Sequence, residues 1–135
     1  MIEDCKLVKI PSFHDERGSL SFLQKNNGYG FDIERVYYLY HAKINCIRGI
    51  HAHKKLEQVI VSLHGEFEIT LDDGVSRRVF HLKSPDVGLY VCPMIWREVK
   101  PITDGGACMV LASRRYEEDD YIHDYDEFSQ QVGLL

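Results

Sequence analysis

The chain has 135 residues, of which 44% are hydrophobic and 27% are charged, and its formal net charge is −5. This length suits one domain, and no apolar run approaches the roughly 20 residues that a membrane span requires. The acidic balance argues against a general nucleic-acid-binding protein, because phosphate neutralisation needs clustered Lys and Arg.

The N-terminal segment, MIEDCKLVKIPSF, mixes acids, lysines and apolar residues, whereas a signal peptide has a basic start and an unbroken apolar core. The cysteines, Cys5, Cys46, Cys92 and Cys108, are widely spaced and form no C-x-x-C motif. Such spacing is typical of reduced thiols rather than of a zinc knuckle or a disulfide framework. Both features predict a cytoplasmic protein.

Short runs of aliphatic, aromatic and β-branched residues recur along the chain as far as about residue 113. In order they are LVKI, SLSFL, IERVYYLY, LEQVIVSL, EFEITL, SRRVFHL, GLYVC, REVKPI and ACMVLAS. Turn signals rich in Gly, Asn, Asp and Pro separate them, and ITLDDGVSRRVF is the clearest hairpin. Because no long helical pattern is available to cover these strands, we expect an all-β antiparallel sandwich or small barrel over residues 5–113.

The tail has a different pattern from Tyr116 onwards. In YEEDDYIHDYDEFSQQV, the apolar residues Tyr121, Ile122, Tyr125 and Phe128 recur at helical spacing, with acids between them. We therefore predict an amphipathic helix over residues 116–130 that packs on the sandwich. With no linker or repeat in the sequence, residues 1–135 are expected to form a single domain.

The segment RGIHAHKK places two histidines one residue apart. If it is a strand, His51 and His53 share one face, because side chains alternate along a strand. Imidazole exchanges protons near neutral pH, so two rings on one wall could take a proton from one atom and return it to another. The other histidines, which we expect to be structural, are His14, His41, His64, His81 and His123.

A metal site is the competing interpretation of this segment. His51, His53 and Glu57 are similar to the first half of the metal motif of the cupins, which are small β-sandwiches. The second half of that motif adds a histidine shortly after a proline in a later strand, but VCPMIWREV has Trp96 and Arg97 there instead. A fixed cation at a ligand position repels a divalent metal, so we favour a site without metal.

A more specific resemblance covers residues 7–130. The segments that carry it are RVYYLY, RGIHAHKKLEQVIVSLHGEFEITLDDG, SPDVGLYVCPMIWREV, MVLAS and YEEDDYIHDYDEF. Together they resemble the bacterial sugar 3,4-ketoisomerases, WxcM-like cupins that act on dTDP-4-keto-6-deoxyglucose. The resemblance implies a jelly-roll fold, no cofactor and no metal, and an isomerisation that moves the keto group from carbon 4 to carbon 3. It also implies a homodimer, in keeping with the edge strands that a small open sandwich must cover.

For the chemistry, the resemblance implies that His51 acts at carbon and that His53 moves protons between oxygens or polarises the carbonyl. Tyr37 is a third catalytic candidate, since a phenol can donate to an enediolate oxygen and accept the proton back. Of the crowded Tyr37, Tyr38 and Tyr40, at least one is expected to pack in the core.

For the substrate, the resemblance points to arginines that bind the diphosphate, whose oxygens suit guanidinium forks. The candidates are Arg48 of the R-G-x-H segment, Arg17 of the D-x-R-G segment, and Arg35, which shares strand parity with Tyr37. Trp96 and Arg97 are expected at the cavity mouth, where an indole could stack on a ring and a cation could contact a hydroxyl or phosphate.

Two other functions stay open from the sequence. The related dTDP-sugar 3,5-epimerases would use the same His51 but return each proton to the carbon it left. A cupin could also bind a nucleotide sugar or a metal without turnover. Relatives differ at the positions of Arg17 and Arg97, so the configuration at carbon 4 of the product, gluco or galacto, is also left open.

Overall fold

The structure is a computed structural model that describes residues 1–25 and 30–135. Those residues form twelve strands, one α-helix and two short 3-10 turns, at Ile2–Asp4 and Glu118–Asp120. The strands are β1 (Lys6–Lys9), β2 (Ser12–Asp15), β3 (Gly18–Ser21), β4 (Arg35–Ala42), β5 (Arg48–His53), β6 (Gln58–His64), β7 (Phe67–Asp72), β8 (Arg77–Leu82), β9 (Val87–Val91), β10 (Trp96–Pro101), β11 (Gly106–Ala112) and β12 (Tyr121–Ile122), and the helix is α1 (Tyr125–Gly133).

Ten of the strands form two five-stranded sheets, and all the strand pairs are antiparallel. Sheet I has the order β1-β9-β6-β11-β4, and sheet II has the order β12-β5-β10-β7-β8. The predicted hairpin is β7 and β8, in which Asp72 pairs with Arg77 across the turn. The all-β antiparallel sandwich predicted from the sequence is therefore confirmed.

The main core lies between the two sheets. Ile60 and Val110 of sheet I pack in one cluster with Phe67, Ile69 and Leu71 of sheet II, and each is 3% exposed or less. Burying such a side chain contributes about 1.5–3 kcal/mol, so these alternating positions hold the sheets face to face. Hydrophobic periodicity in the strands thus fixes which side chains can line a cavity between the sheets.

The C-terminal tail forms a 3-10 turn and then a short strand, and it becomes a helix later than predicted. Tyr121 and Ile122 form β12, which pairs with His53 and Ala52 of β5. The helix α1 begins after Asp124, whose carboxylate accepts hydrogen bonds from two backbone N–H groups of the first turn. The predicted start at residue 116 is therefore wrong, because the open edge of β5 offers backbone partners to Tyr121 and Ile122.

Nowhere in the described part of the chain is there a helix with the length and apolar character to cross a bilayer.

The β2–β3 hairpin is a separate two-stranded sheet. Most of its residues are exposed, including two large apolar side chains, Phe13 at 67% and Leu20 at 60%. A hairpin this short is marginally stable by itself in water. Packing against the rest of the fold does not account for the exposure of its apolar side chains.

Candidate active site

A cavity of about 420 Å³ opens between the two sheets. Its lining comes from β4 and β11 of sheet I, from β5 and β10 of sheet II, and from the tail. The lining residues are Arg35, Tyr37, Leu39, Arg48, Gly49, Ile50, His51, Arg97, Val99, Cys108, Val110, Tyr116 and Tyr121. The expectation that Arg35 and Tyr37 face the same cavity is confirmed. On the opposite face of β4, Tyr38 and Tyr40 are 62% and 64% exposed, so neither packs in the core, whereas Tyr37 packs against it.

The cavity has a strongly positive lining. Three arginines, Arg35, Arg48 and Arg97, contribute to it, and no Asp or Glu does among the described residues. Arginine is permanently charged and binds phosphate oxygens in pairs. This arrangement suits a ligand that carries a diphosphate or a similar anion.

Arg48 reaches the cavity because β5 contains a bulge. His51 pairs with Arg97, but Arg48 pairs with Val99, so β5 has one more residue than β10 between the two pairs. Gly49 lies in this bulge with a φ of +64°, a backbone conformation that glycine adopts at little cost. The bulge brings Arg48 to the side of His51, although strict alternation would place them on opposite faces.

The two histidine rings of β5 touch each other. Their centroids are 4.7 Å apart and their planes are nearly perpendicular, at 85°. His51 lines the cavity, whereas His53 lies behind it and is 2% exposed. Gln58 Nε2 lies 3.4 Å from His53 Nδ1, and Nε2 of His53 has no hydrogen-bond partner among the described residues. The predicted shared face is therefore confirmed, with the two rings at different depths.

Arg97 joins His51 to Tyr37. Its Nη2 atom lies 3.0 Å from the Tyr37 hydroxyl and 3.0 Å from Nε2 of His51. Because a guanidinium only donates, both atoms accept, and the proton of the neutral His51 ring is on Nδ1. The Tyr37 hydroxyl accepts from Arg97 and keeps its own proton available for a ligand oxygen.

Both histidines are held in the neutral form. Burial, followed by the charge of Arg97, lowers the pKa of His51 from 6.5 to about 3. The same two causes lower the pKa of His53 to about 2. A neutral imidazole has one lone pair, and in His51 it accepts the hydrogen bond from Arg97, so the ring can take a proton from a ligand once the ligand displaces that donor.

Tyr121 lines the cavity and His123 contacts its ring, although the sequence placed Tyr121 in a helix and predicted a structural role for His123. The ring of Tyr121 lies 4.9 Å from that of His51 and 4.5 Å from that of His53, and its hydroxyl accepts a hydrogen bond from Arg35 at 3.1 Å. His123 stacks on Tyr121 at 5.4 Å, with its ring 6.0 Å from His51. The sequence pattern that could have indicated them is the alternation in Tyr121-Ile122-His123, which is typical of a strand and places the rings of Tyr121 and His123 on one face.

Asp120 fixes the position of this tail strand. Its carboxylate accepts hydrogen bonds from the backbone N–H groups of Lys55, at 2.8 Å, and Leu56, at 3.2 Å. Its own carbonyl accepts from Lys54 at 2.8 Å. The turn that follows β5 is therefore tied to the residue that precedes Tyr121.

The expected contact of Trp96 with the cavity is wrong. Trp96 is 5% exposed and packs with Ala52, Ile122 and Phe128 on the other face of sheet II, beneath α1. Its ring centroid lies 5.8 Å from that of Phe128. Trp96 and Arg97 are adjacent in β10, so strand alternation directs them to opposite faces of sheet II.

Arg17 lies outside the cavity of its own chain. It lies in the turn of the β2–β3 hairpin, its side chain is 84% exposed, and its guanidinium pairs with Asp15 at 2.6 Å. Within one chain, therefore, the structure does not bring Arg17 to the histidines.

The metal interpretation receives no support from the position of Glu57. Its carboxylate accepts a hydrogen bond of 2.6 Å from the Tyr90 hydroxyl. In residues 1–25 and 30–135, no group of three or more His, Cys, Asp and Glu side chains is placed to hold a metal ion. The bend at Lys54 and Lys55 separates Glu57 from the two histidines.

Comparisons with a family model and with a curated protein indicate the same family. A family model described as WxcM-like, C-terminal matches residues 3–133. The chain is 44% identical over 130 residues to the TDP-4-oxo-6-deoxy-α-D-glucose 3,4-oxoisomerase of Aneurinibacillus thermoaerophilus, covering 96% of this chain and 94% of that protein.

Solved structures agree with this match. A 3,4-ketoisomerase from Helicobacter canadensis is 40% identical, with a TM-score of 0.92 over 96% of this chain and 98% of that one. A sugar 3,4-ketoisomerase from Thermoanaerobacterium thermosaccharolyticum, in complex with TDP, is 36% identical, with a TM-score of 0.94 over 99% of this chain and 98% of that one. A histidine-to-asparagine variant of the latter protein has been solved in complex with TDP-4-keto-6-deoxyglucose.

Proposed function

This chain belongs to the WxcM-like family of sugar 3,4-ketoisomerases, and we propose that it converts dTDP-4-keto-6-deoxyglucose into the dTDP-3-keto-6-deoxyhexose. The product is a precursor for dTDP-linked 3-amino-3,6-dideoxyhexoses. The observation that carries the proposal is the shared contact of Arg97 with His51 and Tyr37 in a cavity lined by three arginines and no acid among the described residues.

The chemistry uses two proton transfers at neighbouring carbons. The keto group at carbon 4 acidifies the hydrogen on carbon 3, and His51, neutral and at the cavity surface, removes that hydrogen as a proton. An enediolate forms, and return of a proton to carbon 4 leaves the keto group on carbon 3. Electrons move within the sugar, so the reaction is balanced without a metal or a redox cofactor.

Tyr37 and Arg97 are placed to stabilise the enediolate. Arg97 is 2% exposed, so its charge acts in a poorly solvated environment where it interacts strongly with a developing oxyanion. The Tyr37 hydroxyl can donate its proton to an enediolate oxygen and take it back. His53, which we expected from the sequence to move protons between the oxygens, does not line the cavity, so we propose that it acts through the adjacent His51 ring, 4.7 Å away.

The diphosphate is expected to bind Arg48 and Arg35. Arg48 is exposed beside the histidines, and the guanidinium of Arg35 lies 4.9 Å from the ring centroid of Tyr37. Arg35 also has a buried Nε without a partner among the described residues, so a donor remains for a ligand oxygen. A bound dianion would raise the pKa of His51 towards its ordinary value, which makes it a stronger base in the complex.

Proton NMR of the product tests the activity. Purified protein is incubated with dTDP-4-keto-6-deoxyglucose, and we expect the carbon 3 proton signal to disappear while a carbon 4 proton signal appears. Retention of the ketone at carbon 4 with inversion at carbon 3 or carbon 5 would instead identify a 3,5-epimerase. An unchanged sugar together with saturable TDP binding would identify a binding protein. The coupling constants of the carbon 4 proton give its configuration.

We also propose that the enzyme is a cytoplasmic homodimer. β4 is an edge strand of sheet I, and its outer face exposes Val36, Tyr38 and Tyr40 to the extent of 50–64%. The β2–β3 hairpin exposes Phe13 and Leu20, which leaves two apolar surfaces for a second copy to cover. Sedimentation of the wild type should give a dimer, and Tyr38→Asp should shift it towards the monomer; a monomeric wild type would contradict this proposal.

In such a dimer, the hairpin of one subunit could bring Arg17 to the cavity of its partner. Complementation between two variants, Arg17→Ala and His51→Gln, tests this placement. A mixed dimer would contain one intact site if Arg17 acts across the interface, so a random mixture should regain about a quarter of wild-type activity. If Arg17 acts within its own chain, or has no role, the mixture should show no activity beyond that of the two variants measured apart.

A further inference from the structure

Two cysteines distant in sequence meet near the N-terminus. The Sγ atoms of Cys5 and Cys92 lie 3.6 Å apart, and both thiols are free. Cys5 is 1% exposed, whereas Cys92 is partly accessible to solvent. The two residues therefore combine an accessible thiol with a buried thiol in direct contact.

The pair lies where the N-terminal segment meets the end of β9. Ile2, which is 3% exposed, donates its backbone N–H to Asp73 at 3.1 Å, and Cys92 Sγ lies 3.5 Å from the Met1 carbonyl oxygen. Cys92 is followed by a turn in which Met94 has a φ of +60° and donates its N–H to the carbonyl of His53 at 2.7 Å. A bond between Cys5 and Cys92 would thus tie the N-terminal segment to the turn that contacts the catalytic strand.

We propose that Cys5 and Cys92 form a reversible disulfide when the protein meets a peroxide. The Cys92 thiolate attacks one peroxide oxygen, the O–O bond breaks, and Cys92 becomes a sulfenic acid while hydroxide leaves and takes up a proton. The Cys5 sulfur then attacks the Cys92 sulfur, the S–O bond breaks, and water leaves with the Cys5 proton. Overall, two thiols are oxidised, the peroxide is reduced, and two waters form.

The assignment of roles follows from burial and hydrogen bonding. The hydrogen bond with Cys5 lowers the pKa of the Cys92 thiol to about 7, against the opposing effect of burial. The same hydrogen bond, followed by burial, raises the pKa of Cys5. The accessible Cys92 is therefore the attacking thiol and Cys5 the resolving thiol.

This site goes beyond the proposed isomerisation, since neither cysteine lines the cavity. The bond would close a loop from residue 5 to residue 92 and so restrict the unfolded chain far more than a local link would. In a reducing compartment it would form during oxidative stress and be removed by dithiol reductants.

The test uses the full chain with Cys46→Ser, because Cys46 is exposed and would form bonds between molecules. After treatment with hydrogen peroxide at one equivalent, we expect the intact mass to fall by two hydrogen atoms and a peptide map to show a Cys5–Cys92 link. The melting temperature should rise by at least about 5 °C and return to its original value with dithiothreitol.

Two matched variants provide the controls. In the same background, Cys5→Ser and Cys92→Ser should each lose the linked peptide and the rise in melting temperature. Recovery of both thiols unmodified after peroxide would overturn the proposal. So would a product in which Cys92 is a sulfinic acid while Cys5 stays reduced, because Cys5 would then have failed to resolve the sulfenic acid.

Discussion

Arg97 Nη2 lies 3.0 Å from Nε2 of His51, and this contact places a permanent cation against the ring proposed as the base. Because the guanidinium can only donate, the ring must accept and stay neutral. The same nitrogen reaches the Tyr37 hydroxyl at 3.0 Å. Burial and, after it, this one arginine therefore favour the neutral base, and the same arginine orients the phenol.

Replacement of Arg97 should raise the pKa of His51. In Arg97→Gln the positive charge is lost, so the pKa should move up from about 3 towards 6.5, and turnover should fall because the enediolate loses its partner. Imidazole NMR titration measures the pKa. Arg48→Gln is the matched control: it also removes a cavity arginine, but Arg48 is not among the main charges that lower the pKa of His51, so that pKa should rise less than in Arg97→Gln.

Removal of the base should abolish chemistry but keep binding. We expect His51→Gln to lower the turnover rate by about 10²- to 10⁴-fold while TDP affinity stays within a few-fold of the wild type. NMR assays give the rate and calorimetry gives the affinity. His81→Gln removes an exposed histidine that pairs with Glu66, and it should leave both quantities unchanged. Full turnover by His51→Gln would assign the base to another residue.

The free energy of unfolding should decrease as the pH falls from about 6.5 towards 3. His51 and His53 have lowered pKa values in the folded state, so over this range the unfolded chain binds more protons than the folded chain. Each histidine contributes a slope of at most about 1.4 kcal/mol per pH unit. Urea denaturation at a series of pH values measures the slope, which should be shallower in His53→Gln; an equal slope would contradict the buried neutral state of His53.

Adding a side chain at Gly49 should reduce turnover as well as the stability of the fold. An alanine Cβ there would lie 3.3 Å from Arg97 Nη2, in a residue whose φ is +64°. We expect Gly49→Ala to lose roughly 1–2 kcal/mol of stability from the backbone and to reduce turnover as well, because the guanidinium is displaced. Gly105 also has a positive φ, of +80°, but has open space around its Cβ position. Gly105→Ala should therefore lose stability with no change in turnover.

Trp96 should matter for stability rather than for binding. We expect Trp96→Ala to cost about 3–5 kcal/mol, because it leaves a cavity beside Phe128, which is fully buried. Trp96→Phe should cost less and should keep the wild-type KM for the nucleotide sugar. Denaturation curves and steady-state kinetics separate the two effects. A raised KM in a folded Trp96→Phe protein would show that Trp96 takes part in substrate binding.

Much of the site could be predicted because alternation along a strand is a local property. The spacing of His51 and His53, and of Arg35 and Tyr37, was sufficient to place each pair on one face. The same rule, applied to adjacent residues, would have excluded Trp96 from the cavity that contains Arg97. The family resemblance placed Arg48 beside the histidines, and the geometric reason for its position in the cavity lining is the bulge at Gly49.

What the sequence did not predict depends on contacts between distant segments. Tyr121 and His123 enter the site because β12 pairs with the edge of β5, some 70 residues earlier in the chain. A tail that has apolar residues both at helical spacing and at alternating spacing can form a helix or a strand, and the available edge of β5 decides between them. The position of Arg17 depends on how the β2–β3 hairpin packs, which no local pattern determines.

The tail strand also has a consequence for synthesis on the ribosome. All strands of both sheets except β12 are complete by residue 112, yet Tyr116 and Tyr121 line the cavity and Tyr121 contacts both histidines. Since translation proceeds from the N-terminus, the other strands of the two sheets can assemble before β12 leaves the exit tunnel of the ribosome. Nascent chains that stop short of residue 121 would therefore have most of their sheets folded and yet lack the ring of Tyr121 beside the two histidines.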